Sequence, residues 1–170
     1  LSPPTAAKQK SKSFPDLPRV YPKKEEATAR ADFLSVQGGK HMSYDYNRMM
    51  CDIKILNSNY SDFIEYFSIG KSVMERDIPC MCVGRGEKKL LLIGAHHGLE
   101  YLTSAFLTKF LSNYIVKLIT NTEYFGHDIR ELYKKVTLFI VPMMNPDGVD
   151  IAINGLDITN PYHRRLISMV

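Results

Sequence analysis

The chain has 170 residues, 45% of them hydrophobic and 24% charged. That is enough apolar material for one globular core, at a charge level that argues against a disordered polyelectrolyte. The net charge of +4 is modest, so no nucleic-acid partner is expected, and no run reaches the ~18 apolar residues of a membrane span.

Residues 1–41 are rich in Pro, Lys, Ser and Ala and carry Lys8, Lys10, Lys12, Arg19, Lys23 and Lys24. They show no lasting apolar period and are read as a disordered basic tail or an appended extension. Gly38-Gly39-Lys40-His41 reads as a junction, with Met42 as the start of the organised part. No basic region followed by an apolar stretch marks a signal peptide. The three cysteines, Cys51, Cys80 and Cys82, make an odd count that argues against a disulfide framework. Cys80 and Cys82 are two apart and are expected as small buried residues on one face of a strand. Reduced thiols and the lack of a targeting signal give a cytoplasmic setting as the expectation.

Met49, Ile53, Leu56 and Tyr60 recur at helical spacing and predict an amphipathic helix from about Tyr44 to Leu56, capped by Ser43 and stopped at Asn57-Ser58-Asn59. Phe63 to Ile69 and Ile78 to Val83 read as strands. Leu90-Leu91-Leu92-Ile93 is a continuous apolar run, as expected of a strand buried on both faces. Leu99 to Ile119 predicts a long helix with Leu102, Phe106, Leu107 and Phe110 toward the core. Thr122 to Tyr133 is a polar connection with room for a short helix, and Val136 to Val141 is another buried strand, ended by Pro142. Buried strands alternating with helices predict an α/β layered sheet, with functional loops at the carboxyl ends of the strands.

Two segments fall at such ends: Gly94 to Glu100, and Met143 to Gly148. In the first, His97 and Glu100 are three apart, which on a helical turn places both on one face. Imidazole nitrogen and carboxylate oxygen are zinc donors, so the pair reads as two metal ligands, with Gly98 letting the backbone turn close to the ion. The plainer reading is also open: His97 caps the helix and Glu100 complements its dipole. In the second segment, Asn145-Pro146-Asp147-Gly148 fits a type I turn that reverses the chain beside the site, a structural role. His96 is read as a packed or surface histidine, with support of the metal as the alternative. His127 and His163 are read as surface residues, and Arg164 and Arg165 as a solvated charge pair.

The run Ile93-Gly94-Ala95-His96-His97-Gly98-Leu99-Glu100-Tyr101-Leu102-Thr103 resembles the first zinc-binding segment of the M14 zinc carboxypeptidase family. Val141-Pro142-Met143-Met144-Asn145-Pro146-Asp147-Gly148 is similar to the family's Pro-x-x-Asn-Pro-Asp-Gly turn. Ser68 to Val73 with Arg76-Asp77-Ile78-Pro79 resembles the strand pair before the zinc strand, except that Glu75 stands where the family has glycine. Within the family, the stretch through Asn154-Gly155-Leu156 is most similar to bacterial γ-D-glutamyl-diaminopimelate peptidases.

The resemblance implies a three-layer α/β fold with a mixed, mostly parallel sheet flanked by helices, residues 42–170 being the N-terminal part of a catalytic domain. It implies Zn²⁺ as cofactor, His97 and Glu100 as ligands, and a peptide substrate, cell-wall peptides included. No catalytic residue is expected within the chain: a third ligand and a general-base glutamate are expected downstream of Val170, leaving an incomplete and inactive fragment. Two alternatives remain: a zinc deacylase of the aspartoacylase or succinylglutamate desuccinylase type, and a non-catalytic peptidase-like binding module.

Overall fold

The computed structural model describes residues 43–169. The tail expected over residues 1–41 lies outside them. Helix α1 spans Tyr46–Asn59 and buries Met49, Asp52, Ile53 and Leu56, the one-sided stripe its spacing predicts. Asp45, not Ser43, caps it: its Oδ1 accepts the Arg48 N–H at 2.8 Å. The Asn-Ser-Asn stretch lies in the last turn rather than ending the helix early, and Tyr60 closes it.

Strands β1 (Ile64–Lys71), β2 (Asp77–Gly84) and β3 (Lys88–Ile93) follow. A short 3₁₀ turn at Gly98–Glu100 leads into helix α2 (Tyr101–Thr120). The polar connection resolves into a two-strand ribbon, β4 (Glu123–Tyr124) with β5 (His127–Asp128), and helix α3 (Ile129–Lys135). Strand β6 (Val136–Val141) and helices α4 (Pro146–Asn154) and α5 (Pro161–Ile167) complete the described chain. No helix among the described residues is long and apolar enough to cross a membrane.

The main sheet has the order β1-β2-β6-β3. It is mixed and flanked by helices, as expected. Within the described residues only β3 and β6 run parallel; β1–β2 and β2–β6 are antiparallel. Parallel neighbours need a crossover, and α2 supplies one between β3 and β6. The parallel register sets Ile93 beside Val141. Both candidate loops therefore leave the sheet side by side.

Two burial expectations are corrected. Strand β3 is not buried on both faces: Leu90, Leu91 and Ile93 are exposed. It is an edge strand with β6 as its one described neighbour. An apolar run signals a strand that tolerates burial, but not the number of elements covering it. On α2, Leu107 is buried and Phe110 packs at the core margin, but Leu102 and Phe106 are 72% and 68% exposed. The helix instead buries Leu111, Tyr114, Ile115, Leu118 and Ile119 beside Ser104, Thr108 and Ser112. Over the first half of α2 a second apolar row, Leu102, Phe106 and Phe110, competes with the buried one, and periodicity does not choose between them there. Small Ser and Thr side chains permit close packing, with Thr108 returning its hydroxyl hydrogen bond to the Ser104 carbonyl at 2.9 Å.

Cys80 and Cys82 are buried and free, as expected. Burial pushes both thiols up, Cys82 to about 11, which keeps them protonated and poor metal ligands.

Candidate metal centre

The site is built where β3 and β6 end. The Gly94 N–H donates to the Val141 carbonyl at 2.9 Å, extending the ladder by one bond. The Met144 N–H then donates to the Gly94 carbonyl at 3.0 Å, and the Asn145 N–H to the Ala95 carbonyl at 3.0 Å. Ala95 has φ 42°, a left-handed conformation uncommon for a residue with a Cβ. It is held there because its N–H donates to Thr103 Oγ1 at 2.7 Å, while the Thr103 hydroxyl donates to the Glu100 carbonyl at 2.7 Å. Thr103 thus ties the end of β3 to the start of α2.

His97 enters the 3₁₀ turn in extended conformation, and its carbonyl accepts the Glu100 N–H at 3.1 Å. The two side chains meet: His97 Nδ1 lies 2.9 Å from Glu100 Oε1. With the carboxylate ionised, the imidazole N–H is the donor. This bond holds the Glu100 carboxyl below its ordinary range. His97 and Glu100 are 75% and 50% exposed, so no packing fixes their side chains. His96 is exposed too, its ring edge-on to that of His97 with centroids 5.3 Å apart.

A tetrahedral zinc ion with donors at ~2.0–2.2 Å sets two of its ligand atoms about 3.3 Å apart. The 2.9 Å approach of His97 Nδ1 and Glu100 Oε1 is a hydrogen bond, shorter than that separation, so the pair would open by a few tenths of an ångström to share an ion. The donor set is partial: among the described residues no group of three or more His, Cys, Asp or Glu side chains is placed to hold a metal.

The Asn-Pro-Asp-Gly segment is not a free-standing turn but the first turn of α4. Asn145 is the N-cap, accepting the Gly148 N–H at 2.9 Å, and Pro146 sits at the first helical position, where its missing N–H costs nothing. Gly148 lies against Gly98, and a Cβ on Gly98 would collide with the Gly148 carbonyl. Gly98 is therefore required by a neighbouring helix, a reason local spacing did not contain.

The partners of Asp147 are distant in sequence. Its carboxylate accepts from Ser72 Oγ at 2.9 Å, from the Met74 N–H at 2.9 Å and from Arg76 Nη1 at 3.0 Å. Arg76 Nη2 also reaches Asp150 at 2.7 Å. Burial works against the Asp150 charge, but hydrogen bonds from Arg76 and Asn154 hold its carboxyl below the usual range. Glu75, in the position where the family has glycine, has φ 59° and completes the tight β1–β2 turn.

The remaining histidines divide. His127 is exposed in β5, as expected. His163 is buried, not on the surface: its Nδ1 accepts the Asp157 N–H at 2.9 Å and anchors α5. A polar sequence neighbourhood concealed that local cap. Arg164 and Arg165 are exposed.

The sequence model for zinc carboxypeptidases matches residues 49–165. The chain belongs to the zinc carboxypeptidase family. It is 36% identical over 126 residues to γ-D-glutamyl-L-diamino acid endopeptidase 1 of Lysinibacillus sphaericus, an alignment covering 74% of this chain and 32% of that protein. It is 25% identical over 155 residues to the inactive metallocarboxypeptidase ECM14 of Paracoccidioides brasiliensis, covering 78% of this chain and 25% of that one. The zinc carboxypeptidase fold itself is shared with bovine thrombin-activatable fibrinolysis inhibitor, with TM-score 0.55 and 21% identity over 68% of this chain and 34% of that structure. The chain spans about a third or less of the length of these relatives.

Proposed function

We infer that the chain contributes the His97 and Glu100 zinc donors of a metallopeptidase that hydrolyses peptide bonds. The observation that carries this reading is the 2.9 Å convergence of His97 Nδ1 and Glu100 Oε1 at the mouth of β3. Zinc, when bound, supplies Lewis acidity toward a peptide carbonyl. The chain's own residues do the holding. Thr103 fixes the turn that carries both donors, and the exposure of His97 and Glu100 leaves them open to a substrate.

The substrate class follows the same logic at lower resolution. The 36% identity to an endopeptidase of γ-D-glutamyl-L-diamino acid peptides supports a cell-wall peptide as the substrate of a protein containing this segment. The similarity to an inactive metallocarboxypeptidase favours, as a second reading, a peptidase-like binding module without catalysis. The metal discriminates between the two, because the binding module has no need of zinc.

A catalytic zinc site takes three protein donors, and hydrolysis takes a general base as well. The described residues bring two donors together, so the purified 170-residue chain is expected to bind Zn²⁺ weakly and to hydrolyse no peptide measurably. The test is isothermal titration with ZnCl₂ on this chain and on His97→Ala. Loss of the zinc heat in the variant supports the assignment; an unchanged stoichiometry overturns it.

A further inference from the structure

We propose that Arg76 and Asp147 are positioning residues for the His97–Glu100 pair, acting through the first turn of α4. The proposal rests on the zinc reading above and names what holds its donors in place. His97 is 75% exposed, so its place is set by the backbone beneath it. That backbone rests on α4: Gly98, between the two donors, lies so close to Gly148 that no side chain fits. Gly148 directly follows Asp147, and Asp147 is where α4 is fastened to the β1–β2 turn.

The fastening has four strands. Ser72 Oγ and the Met74 N–H donate to the Asp147 carboxylate at 2.9 Å each. Arg76 forks across one turn of α4, to Asp147 at 3.0 Å and Asp150 at 2.7 Å. The guanidinium also lies 5.9 Å from the centre of the Tyr46 ring, which ties α1 into the same junction. Arg76 and Asp147 side chains are only 25% and 15% exposed, so water screens the pair less than a surface ion pair. A planar fork spanning two carboxylates fixes direction as well as distance, which a lysine cannot do. Rotation of α4 about its cap would carry Gly148 into or away from Gly98, and so move the two donors.

The test uses the full 170-residue chain, isotopically labelled and titrated with ZnCl₂ while the His97 ring and Gly98 amide resonances are followed. The variants are Asp147→Asn, Arg76→Lys and, as a control, Ile119→Val, buried at the far end of α2, with unfolding midpoints measured without metal. Asp147→Asn and Arg76→Lys are expected to weaken zinc binding at His97 about 10-fold or more, the usual cost of losing support behind a ligand. Ile119→Val is expected to keep wild-type affinity at a similar loss of stability. If the two ion-pair variants bind zinc like the wild type, or the control loses as much affinity as they do, the positioning role is overturned while the zinc reading stands. If the wild-type chain shows no zinc response at His97, the zinc reading fails and the proposal falls with it. Should Asp147→Asn not fold, Arg76→Lys decides.

Discussion

The two ends of α2 are built on different terms. From Leu107 onward the helix is sealed into the core by Leu111, Tyr114, Ile115, Leu118 and Ile119. Before that point Leu99, Leu102 and Phe106 stand exposed, as do Leu90, Leu91 and Ile93 on β3, which has one neighbour among the described strands. The candidate donors lie at this unsealed end. The exposed donors themselves have no packing, and the backbone beneath them adds directional ties to the buried Ala95, Met143 and Val149: Thr103 to Ala95, the backbone bonds from Met144 and Asn145, and the Arg76 fork. Burial fixes a core against many small displacements at once. Hydrogen bonds fix a loop only along the directions in which they point, and each can be cut singly.

The sharpest way to break this comparison is to truncate one apolar residue at each end of the helix. Leu111→Ala, at a fully buried position, is expected to cost about 3 kcal/mol, the transfer of the lost atoms plus the cavity they leave. Leu102→Ala, at a position 72% exposed, is expected to stay within about 0.5 kcal/mol. Urea unfolding of the two variants side by side reads the difference. Equal losses would mean that the exposed end is covered by something in solution.

Gly98→Ala comes next in size and tests the directional half. The added methyl meets the Gly148 carbonyl, a backbone atom that cannot rotate away. An overpacked contact of this kind costs about 1–3 kcal/mol. The strain is expected to appear at the site as well: the His97 ring and the Glu100 amide should shift in NMR spectra, while the resonances of Leu118 and Ile119 stay in place. A variant with wild-type stability and unshifted His97 would show that the turn and α4 are not in firm contact.

What the sequence made legible follows the same division. The His97–Glu100 pairing is local, since three residues on a turn suffice to bring the side chains together, and the structure has them 2.9 Å apart. The stripe on α1 is equally local, because Met49, Ile53 and Leu56 repeat without competition from a second apolar row. The inward face of the first turns of α2 was not legible, because Leu102 and Phe106 are more apolar there than the buried Ser104 and Thr108. Strand β3 misled for a related reason: an apolar run states what a strand can bear, and the neighbours decide what it receives. Asp147 illustrates the third case. Its motif was visible, but its partners Ser72, Met74 and Arg76 lie some 70 residues earlier, and nothing in a turn signature points that far. Glu75 marks the far end of that connection in sequence, occupying with φ 59° a place where glycine is the cheaper choice.

The smallest effect, and the one that separates the two regions by sign, is the dependence of stability on pH. Asp52 is sealed beneath α1; burial raises its carboxyl above the ordinary range, with the Tyr44 hydroxyl and Arg48 working the other way. The folded state then holds the Asp52 proton more tightly than the unfolded chain does. Stability from this group is full below the unfolded value of about 3.9 and falls as pH rises toward the raised folded value. Asp150 behaves oppositely. Despite partial burial, hydrogen bonds from Arg76 and Asn154 lower its carboxyl, so its contribution is present above about 3.9 and is lost as pH falls through the folded value. Between pH 3 and pH 6, Asp52→Asn is expected to gain on the wild type as pH rises, and Asp150→Asn to lose ground. Urea midpoints across that range measure both. If the two variants moved in the same direction, the carboxylate in the core and the carboxylate beside the site would be held by the same forces, and the contrast between a buried charge that is tolerated and a charge used as a tie would not stand.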